Sequence, residues 1–180
     1  MRIISGKFKG RNFTPPVDPR VTRPTTDLAK EALFNILDNR FEFTDDMHVL
    51  DLFAGTGSIA YEFMSRGVGE ATCIETSAPM LRFIRQTAFV LGVKNFLNTE
   101  KDDVFKWIEK SEGQQYDLIF ADPPYAMAAI MTLPDLVFNK NLLKTGGQFI
   151  VEHDVQHRFD EHPRFLEERN YGKTVFTFFE

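Results

Sequence analysis

The stretch Asp51-Leu-Phe-Ala-Gly55-Thr-Gly57-Ser-Ile-Ala60 decides the fold, because it joins a buried strand to a helix through a turn of small residues. The apolar residues 47–53 predict the strand, and residues 59–66 have the spacing of a helix that Gly67 ends. The two glycines permit a tight turn and let a ligand approach the backbone closely. The stretch therefore predicts a strand–turn–helix unit of an α/β protein with a ligand at the turn.

Strand and helix signals alternate on both sides of this unit. Further strands are predicted over residues 71–75, 95–99, 116–121, 148–152, 165–169 and 174–179. Helices are predicted over residues 27–39, 77–91, 104–110 and 127–139, with Pro134 weakening the last of them. The final two strands flank Asn170-Tyr171-Gly172, which is typical of an antiparallel hairpin. The order predicts a mostly parallel, Rossmann-like seven-stranded sheet with helices on both faces and a C-terminal hairpin.

Length and composition fit one globular domain of 180 residues, with 43% hydrophobic and 26% charged residues. Residues 1–24 combine a loosely alternating stretch with four prolines, and we expect a small basic β-hairpin arm and linker there, ahead of a main domain over residues 25–180. The single cysteine, Cys73, excludes an internal disulfide and a multi-cysteine zinc site. His153, His157 and His162 follow a predicted strand without an acidic metal motif, so we expect no metal. Without an N-terminal signal or a membrane-length apolar run, a cytoplasmic protein away from membranes is expected.

Charge is distributed unevenly along the chain, whose net charge is −5. Residues 1–30 carry seven basic and two acidic side chains, so the remaining residues are strongly acidic. A basic segment on an acidic body can bind phosphate through its local field, although a solvated tail has the same composition. The nucleic-acid interpretation assigns RNA contacts to Arg2, Lys7, Lys9, Arg11, Arg20 and Arg23.

Acidic residues recur where successive predicted strands end. Glu75 could accept hydrogen bonds from both hydroxyls of a ribose, and Asp103 could meet an adenine edge. The spacing of Gly55, Gly57 and Ala60 also satisfies a relaxed dinucleotide fingerprint, but Asp51 beside the turn would repel a pyrophosphate and attract a cationic ligand. Each acid taken singly is more typical of a helix cap or a solvated loop charge, but their joint occurrence at successive strand ends favours a shared site. The predicted cofactor site comprises Asp51, Phe53, Ala54, Gly55, Thr56, Gly57, Glu75, Thr76, Asp103, Val104 and Asp122.

The motif Asp122-Pro123-Pro124-Tyr125 follows the strongest predicted strand and carries the predicted catalytic residues. Two prolines stiffen the backbone, so that a carboxylate and a main-chain carbonyl can be held side by side. Such a pair of acceptors suits a planar amino group with two hydrogens, and Tyr125 offers a ring on which a base can stack. A proline-stiffened turn without chemistry is the alternative.

Together, residues 51–57, Glu75, Asp103 and 122–125 resemble a class I S-adenosylmethionine-dependent methyltransferase that modifies amino groups. Residues 1–11 and 23–37 are similar to the bacterial 16S rRNA guanine-N2 methyltransferase family (RsmD). This resemblance runs through most of the chain. It implies S-adenosyl-L-methionine as cofactor, methyl transfer to N2 of a guanine, and 16S rRNA within the small ribosomal subunit as the partner of a monomer.

Other functions share parts of this pattern. The same methyl donor could serve adenine N6 or a protein glutamine as acceptor. A different class would be an NAD-binding oxidoreductase or a Rossmann-like module without catalysis. Stabilisation by S-adenosylhomocysteine but not by NAD would exclude that second class.

Overall fold

A computed structural model describes residues 1–17, 26–124 and 127–180, and its centre is one seven-stranded sheet. The strands are β1 (His48–Leu52), β2 (Glu70–Ile74), β3 (Leu97–Glu100), β4 (Tyr116–Ala121), β5 (Leu143–His153), β6 (Phe165–Tyr171) and β7 (Thr174–Phe179). Their order in the sheet is β3-β2-β1-β4-β5-β7-β6. Strands β1 to β5 pair in parallel, and β7 is antiparallel to both β5 and β6. The predicted Rossmann-like sheet with a C-terminal hairpin is confirmed.

Helices cover both faces of the sheet, as predicted. They are α1 (Asp27–Arg40), α2 (Ser58–Arg66), α3 (Ala78–Leu91), α4 (Val104–Lys110) and α5 (Leu133–Asn139). Buried residues of α1, α2 and α3 form one apolar cluster with alternate strand residues, and buried residues of α4 and α5 form the other. The alternation of side chains along each strand divides the core into these two layers.

The predicted helix ends follow local capping signals. Thr26 accepts a hydrogen bond from the Ala29 N–H at the start of α1, and Ser77 does so from the Met80 N–H at the start of α3. Asp103 caps α4 in the same way through the Lys106 N–H. These side chains satisfy backbone donors that a helix leaves without an internal partner.

Two predicted elements differ from their predicted bounds by more than one or two residues. The predicted helix over residues 127–139 is a 3₁₀-helix (Ala128–Thr132) followed by α5, because Pro134 fits the first helical turn and not the interior. Strand β5 begins at Leu143 and not at residue 148, since Tyr116 pairs with Leu143 before a register shift in the β4–β5 ladder. Pairing with β4 extends β5 through Gly146 and Gly147, a glycine pair that local sequence signals place in a turn.

The N-terminal segment, residues 1–17, forms less regular structure than the predicted hairpin. Arg2 and Asn12 make one isolated antiparallel bridge, and a 3₁₀-helix (Gly6–Phe8) connects the two sides. Ile3 is buried in the cluster that contains α1, α2 and α3. The proposed division between residues 24 and 25 lies outside the described residues. Among the described residues, no helix is long and apolar enough to cross a membrane.

Candidate functional site

The predicted site residues follow three adjacent strands. Leu52 of β1 is paired with Ile74 of β2 on one side and with Ala121 of β4 on the other. The glycine turn, Glu75 and Asp122 therefore begin at the same level of the sheet. Strand order reverses between β1 and β4, which is the position where ligands bind in open α/β sheets.

The turn between β1 and α2 has an unusual backbone. Phe53, Gly55 and Gly57 all have positive φ, at 63°, 52° and 73°. A Cβ added to Gly57 would lie 3.1 Å from side-chain carbons of both Tyr61 and Ile84, so close neighbours add to the preference for glycine that the positive φ already sets. The turn is closed by a 2.7 Å hydrogen bond from the Gly57 N–H to the Ala54 carbonyl.

The Glu75 carboxylate holds the glycine turn against the start of α3. One of its oxygens accepts the Gly55 N–H at 2.8 Å, and the other accepts the Ser77 N–H at 2.7 Å. The exposed Thr76 hydroxyl donates to the same carboxylate at 3.3 Å. A carboxylate has about four lone-pair sites, so these contacts leave capacity for ligand hydroxyls. The predicted contact between Glu75 and a ribose stays a prediction.

Asp51 lies beneath the turn and is only 3% exposed. Its carboxylate accepts the Ala60 N–H at 3.3 Å. Burial, and secondarily the nearby charge of Glu75, raise the pKa of Asp51 to about 8, although the Ala60 hydrogen bond lowers it. Asp51 is therefore mostly protonated at neutral pH, and a nearby cation would favour its ionised form.

Two further predicted cofactor residues lie at the start of α4. The Asp103 carboxylate accepts the Lys106 N–H at 3.2 Å, so it serves as a helix cap. Val104 is buried at the first helical position. Beside them, the Phe53 ring makes an edge contact with Phe105, with a centroid distance of 6.3 Å. The predicted contact with an adenine stays a prediction.

The catalytic loop begins directly after β4. Asp122 is half-buried, and its N–H donates to the Leu52 carbonyl at 3.4 Å. Pro123 is buried, whereas Pro124 is exposed and its carbonyl accepts the Met127 N–H at 2.8 Å. This hydrogen bond uses one of the two lone pairs of the Pro124 carbonyl, and we assign the main-chain acceptor to Pro123. Tyr125 lies outside the described residues.

The predicted RNA-binding side chains of the N-terminal segment are exposed at Arg2, Lys7, Lys9 and Arg11. Arg2 also forms an ion pair with Asp27 at 3.0 Å, in which both side chains are about half exposed. Arg20 and Arg23 lie outside the described residues. The observed exposure is compatible with phosphate contacts, which remain a prediction.

Lys30 is a basic residue of the N-terminal region that adds nothing to the surface charge, because it is buried. It is one of the seven basic residues in the N-terminal region, yet its side chain is 1% exposed. Its Nζ donates to the Arg2 carbonyl at 2.5 Å and to the Ser58 hydroxyl at 2.9 Å, and it lies 3.7 Å from a Glu62 oxygen. Burial lowers the pKa of Lys30, while Glu62 opposes that shift. The sequence feature that indicates this burial is the position of Lys30 on the apolar face of α1, three residues before Leu33.

Glu62 joins this buried contact to the N-terminal segment. Its two oxygens accept the Ile4 and Ser5 N–H groups at 2.8 and 2.9 Å. Arg66 donates to the same carboxylate from the next turn of α2. The segment is therefore fixed to the helix that follows the glycine turn, and Lys30 contacts the first residue of that helix.

The described residues contain no group of three or more histidine, cysteine or acidic side chains that could hold a metal ion. His153 is buried, and its ring nitrogens contact the Asp154 carbonyl and the Thr177 hydroxyl, each at 2.7 Å. Cys73 is also buried, and burial raises the pKa of its thiol well above the usual value. Both side chains therefore belong to the core and not to the strand-end site.

Comparison with known proteins associates this arrangement with methyltransferases. The family described as Conserved hypothetical protein 95 matches residues 1–180. The chain is 30% identical over 154 residues to Ribosomal RNA small subunit methyltransferase D of Buchnera aphidicola subsp. Baizongia pistaciae, covering 86% of this chain and 76% of that protein.

Solved structures agree with the fold. A hypothetical protein of Thermus thermophilus is 26% identical, with a TM-score of 0.85, and the match covers 100% of this chain and 99% of that one. An RNA methyltransferase from Salinibacter ruber, solved with S-adenosyl-L-homocysteine, shares the fold at 13% identity and a TM-score of 0.67, covering 87% of this chain and 92% of that one.

Proposed function

The chain belongs to the Conserved hypothetical protein 95 family, and we propose that it transfers a methyl group from S-adenosyl-L-methionine to N2 of a guanine in 16S rRNA. The observation that carries the proposal is the position of two groups around the glycine turn that follows β1. Glu75, which binds this turn, follows β2 on one side of β1, and Asp122-Pro123-Pro124 follows β4 on the other side. Its similarity to Ribosomal RNA small subunit methyltransferase D supports rRNA as the substrate.

The residues of the glycine turn suit S-adenosylmethionine better than a dinucleotide. Glu75 is a carboxylate, Asp51 is a carboxyl group whose ionised form a nearby cation would favour, and residues 51–57 and 75–77 contain no cation that would attract a pyrophosphate. A sulfonium and an ammonium are favoured beside such groups. The cofactor supplies an electrophilic methyl group. We assign its ribose to Glu75 and Thr76, its adenine to Asp103 and Val104, and its methionine portion to the residues of the turn.

The acceptor amine is assigned to the loop after β4. An exocyclic amine is a weak nucleophile because its lone pair is delocalised into the ring. Hydrogen bonds to the Asp122 carboxylate and the Pro123 carbonyl would hold its two hydrogens, orient its nitrogen and favour a pyramidal geometry. Tyr125 would stack on the base. Guanine N2 lies on the pairing edge, so the target must be unpaired or flipped out of its helix.

The partner that follows from this proposal is 16S rRNA within the small ribosomal subunit, bound in the cytoplasm by a monomer. Exposed basic side chains of the N-terminal segment would contact its phosphates. Arg20 and Arg23 would extend that surface, and we place the main domain at residues 25–180. Because Ile3 is part of the core, the segment is a docked element of this domain.

The test is methyl transfer from radiolabelled S-adenosylmethionine to small ribosomal subunits, followed by identification of the labelled nucleoside. N2-methylguanosine in 16S rRNA is the expected product. Label in N6-methyladenosine or in a protein glutamine would assign the other acceptors. Thermal stabilisation by S-adenosylhomocysteine but not by NAD is expected, and the reverse result would refute the cofactor assignment.

A further inference from the structure

Two segments that are far apart in sequence lack carboxylates. Residues 1–17 and residues 76–99 contain neither aspartate nor glutamate, although acidic residues make up 26 of the 180 in the chain. The basic residues of the two segments are Arg2, Lys7, Lys9, Arg11, Arg82, Arg85 and Lys94. On a chain with a net charge of −5, these segments therefore concentrate positive charge.

The fold brings the two segments to the same face of the sheet. Helix α2 lies between them and is buried along nearly its whole length. On one side, the N-terminal segment contacts α2 through Glu62 and through a 3.0 Å hydrogen bond from the Phe8 N–H to the Ser65 hydroxyl. On the other side, the Tyr61 hydroxyl donates to the Ile84 carbonyl of α3. The N-terminal segment and α3 are thus neighbours across one helix.

The second segment also exposes aromatic rings. Among the described residues, Phe89 and Phe96 are the exposed phenylalanines of the 19 in the chain, at 67% and 52%. The Lys94 ammonium lies 5.6 Å from the centre of the Phe89 ring. The Arg85 guanidinium donates to the Thr99 hydroxyl at 2.7 Å, which fixes its charge beside β3. Exposed rings interleaved with basic side chains are typical of surfaces that bind unpaired nucleotides.

We propose that α3 and residues 92–96 form, together with the N-terminal segment, one continuous surface for single-stranded RNA. Phe89 and Phe96 stack on unpaired bases, and Arg82 and Lys94 contact phosphates. Symmetric pairing of two copies through this face would bring like charges together, so charge complementarity favours RNA over a second copy of the chain. The inference rests on the proposed rRNA substrate, and it adds a second contact outside the predicted arm.

The experiment measures binding of a fluorescein-labelled oligoadenylate to the full-length chain by anisotropy at several salt concentrations. We expect the Phe89→Ser/Phe96→Ser double variant to bind about tenfold or more weakly, because it loses two stacking platforms. For Arg82→Gln/Lys94→Gln, the slope of log affinity against log salt should become shallower by about 1.4, at about 0.7 per phosphate contact on a single strand.

A matched control lies on β6, at the opposite edge of the sheet. Leu166 and Tyr171 are exposed there at 36% and 37%, and Leu166→Ser/Tyr171→Ser should leave RNA affinity unchanged. S-adenosylhomocysteine affinity serves as the check on folding and should be unchanged in every variant.

Wild-type RNA affinity in both α3 variants would overturn the proposal. It would also be overturned if the wild-type chain is dimeric and Phe89→Ser/Phe96→Ser makes it monomeric without weakening RNA binding. Methyl transfer to small subunits is measured separately. If the wild-type chain fails to methylate them while oligoadenylate binding depends on Phe89 and Phe96, the proposed function falls and the RNA surface stands.

Discussion

Replacing Asp51 with asparagine should change how the stability of the fold depends on pH. Burial raises the pKa of the Asp51 carboxyl to about 8 in the folded chain, while in the unfolded chain it keeps an ordinary value of about 4. Between these two values the folded state binds more protons than the unfolded state. The free energy of unfolding contributed by Asp51 therefore falls as pH rises through this window, and asparagine removes that dependence.

The size of the effect follows from the linkage relation. Where Asp51 is protonated when folded and ionised when unfolded, stability falls by about 1.4 kcal/mol per pH unit. Between pH 5 and pH 7 the wild-type chain should lose about 3 kcal/mol relative to Asp51→Asn. His153 contributes with the opposite sign, because burial lowers its pKa, but it is present in both proteins and cancels in their difference.

Urea unfolding of both proteins at pH 5, 6 and 7 measures this difference. Asp160→Asn is the matched control, since Asp160 is exposed and its contact with Arg158 lowers its pKa, which leaves it ionised in both states over this range. Its difference from wild type should stay constant between pH 5 and pH 7. If the stability difference between Asp51→Asn and wild type were also constant, Asp51 would be ionised in the folded chain and the reasoning would be wrong.

Three other predictions concern the site and its support. Glu75→Ala should weaken S-adenosylhomocysteine binding by about 1–3 kcal/mol in calorimetry, because it removes a charged acceptor and releases the Gly55 N–H; unchanged affinity in a folded variant would remove Glu75 from the site. Asp122→Ala should slow single-turnover methylation by about a hundredfold or more at unchanged cofactor affinity, since it misplaces the acceptor amine; a wild-type rate would refute its role. Lys30→Met should lower the free energy of unfolding by about 2–4 kcal/mol, because it leaves Glu62 without one buried partner. The double variant with Glu62→Gln should then lose less than the sum of the two single changes, and strict additivity in urea unfolding would contradict the coupling.

The sequence predicted most of the fold because its signals act locally. Ser77 begins α3 by accepting a backbone hydrogen bond, and Gly67 and Gly92 end α2 and α3 where the backbone turns left-handed. Pro134 was expected in the middle of one helix, but it lies in the first turn of α5, where the proline ring fits. The early start of β5 was beyond local signals, because the pairing of Leu143 depends on Tyr116 in a distant part of the chain.

The strand-end acids were predictable for a topological reason. Parallel strands end at one edge of the sheet, so Asp51, Glu75 and Asp122 had to lie near one another. The cap by Asp103 was one of the alternatives that the sequence left open, since it uses an N–H three residues along the chain. The contacts of Asp51 with the Ala60 N–H and of Glu75 with the Gly55 N–H were not predictable, because the folded turn and the neighbouring strand bring those groups together.

The buried contact of Lys30 couples the N-terminal segment to the folded core. Lys30 binds the Arg2 carbonyl and the Ser58 hydroxyl, so the segment that we expect to contact RNA and the helix after the cofactor turn share one side chain. Removing residues 1–11 would also expose the core at Ile3 and take two N–H donors from Glu62. Loss of activity after such a deletion would therefore not distinguish RNA binding from folding. Substitution of the exposed Lys7 and Lys9 separates the two, because their charges lie outside this buried contact.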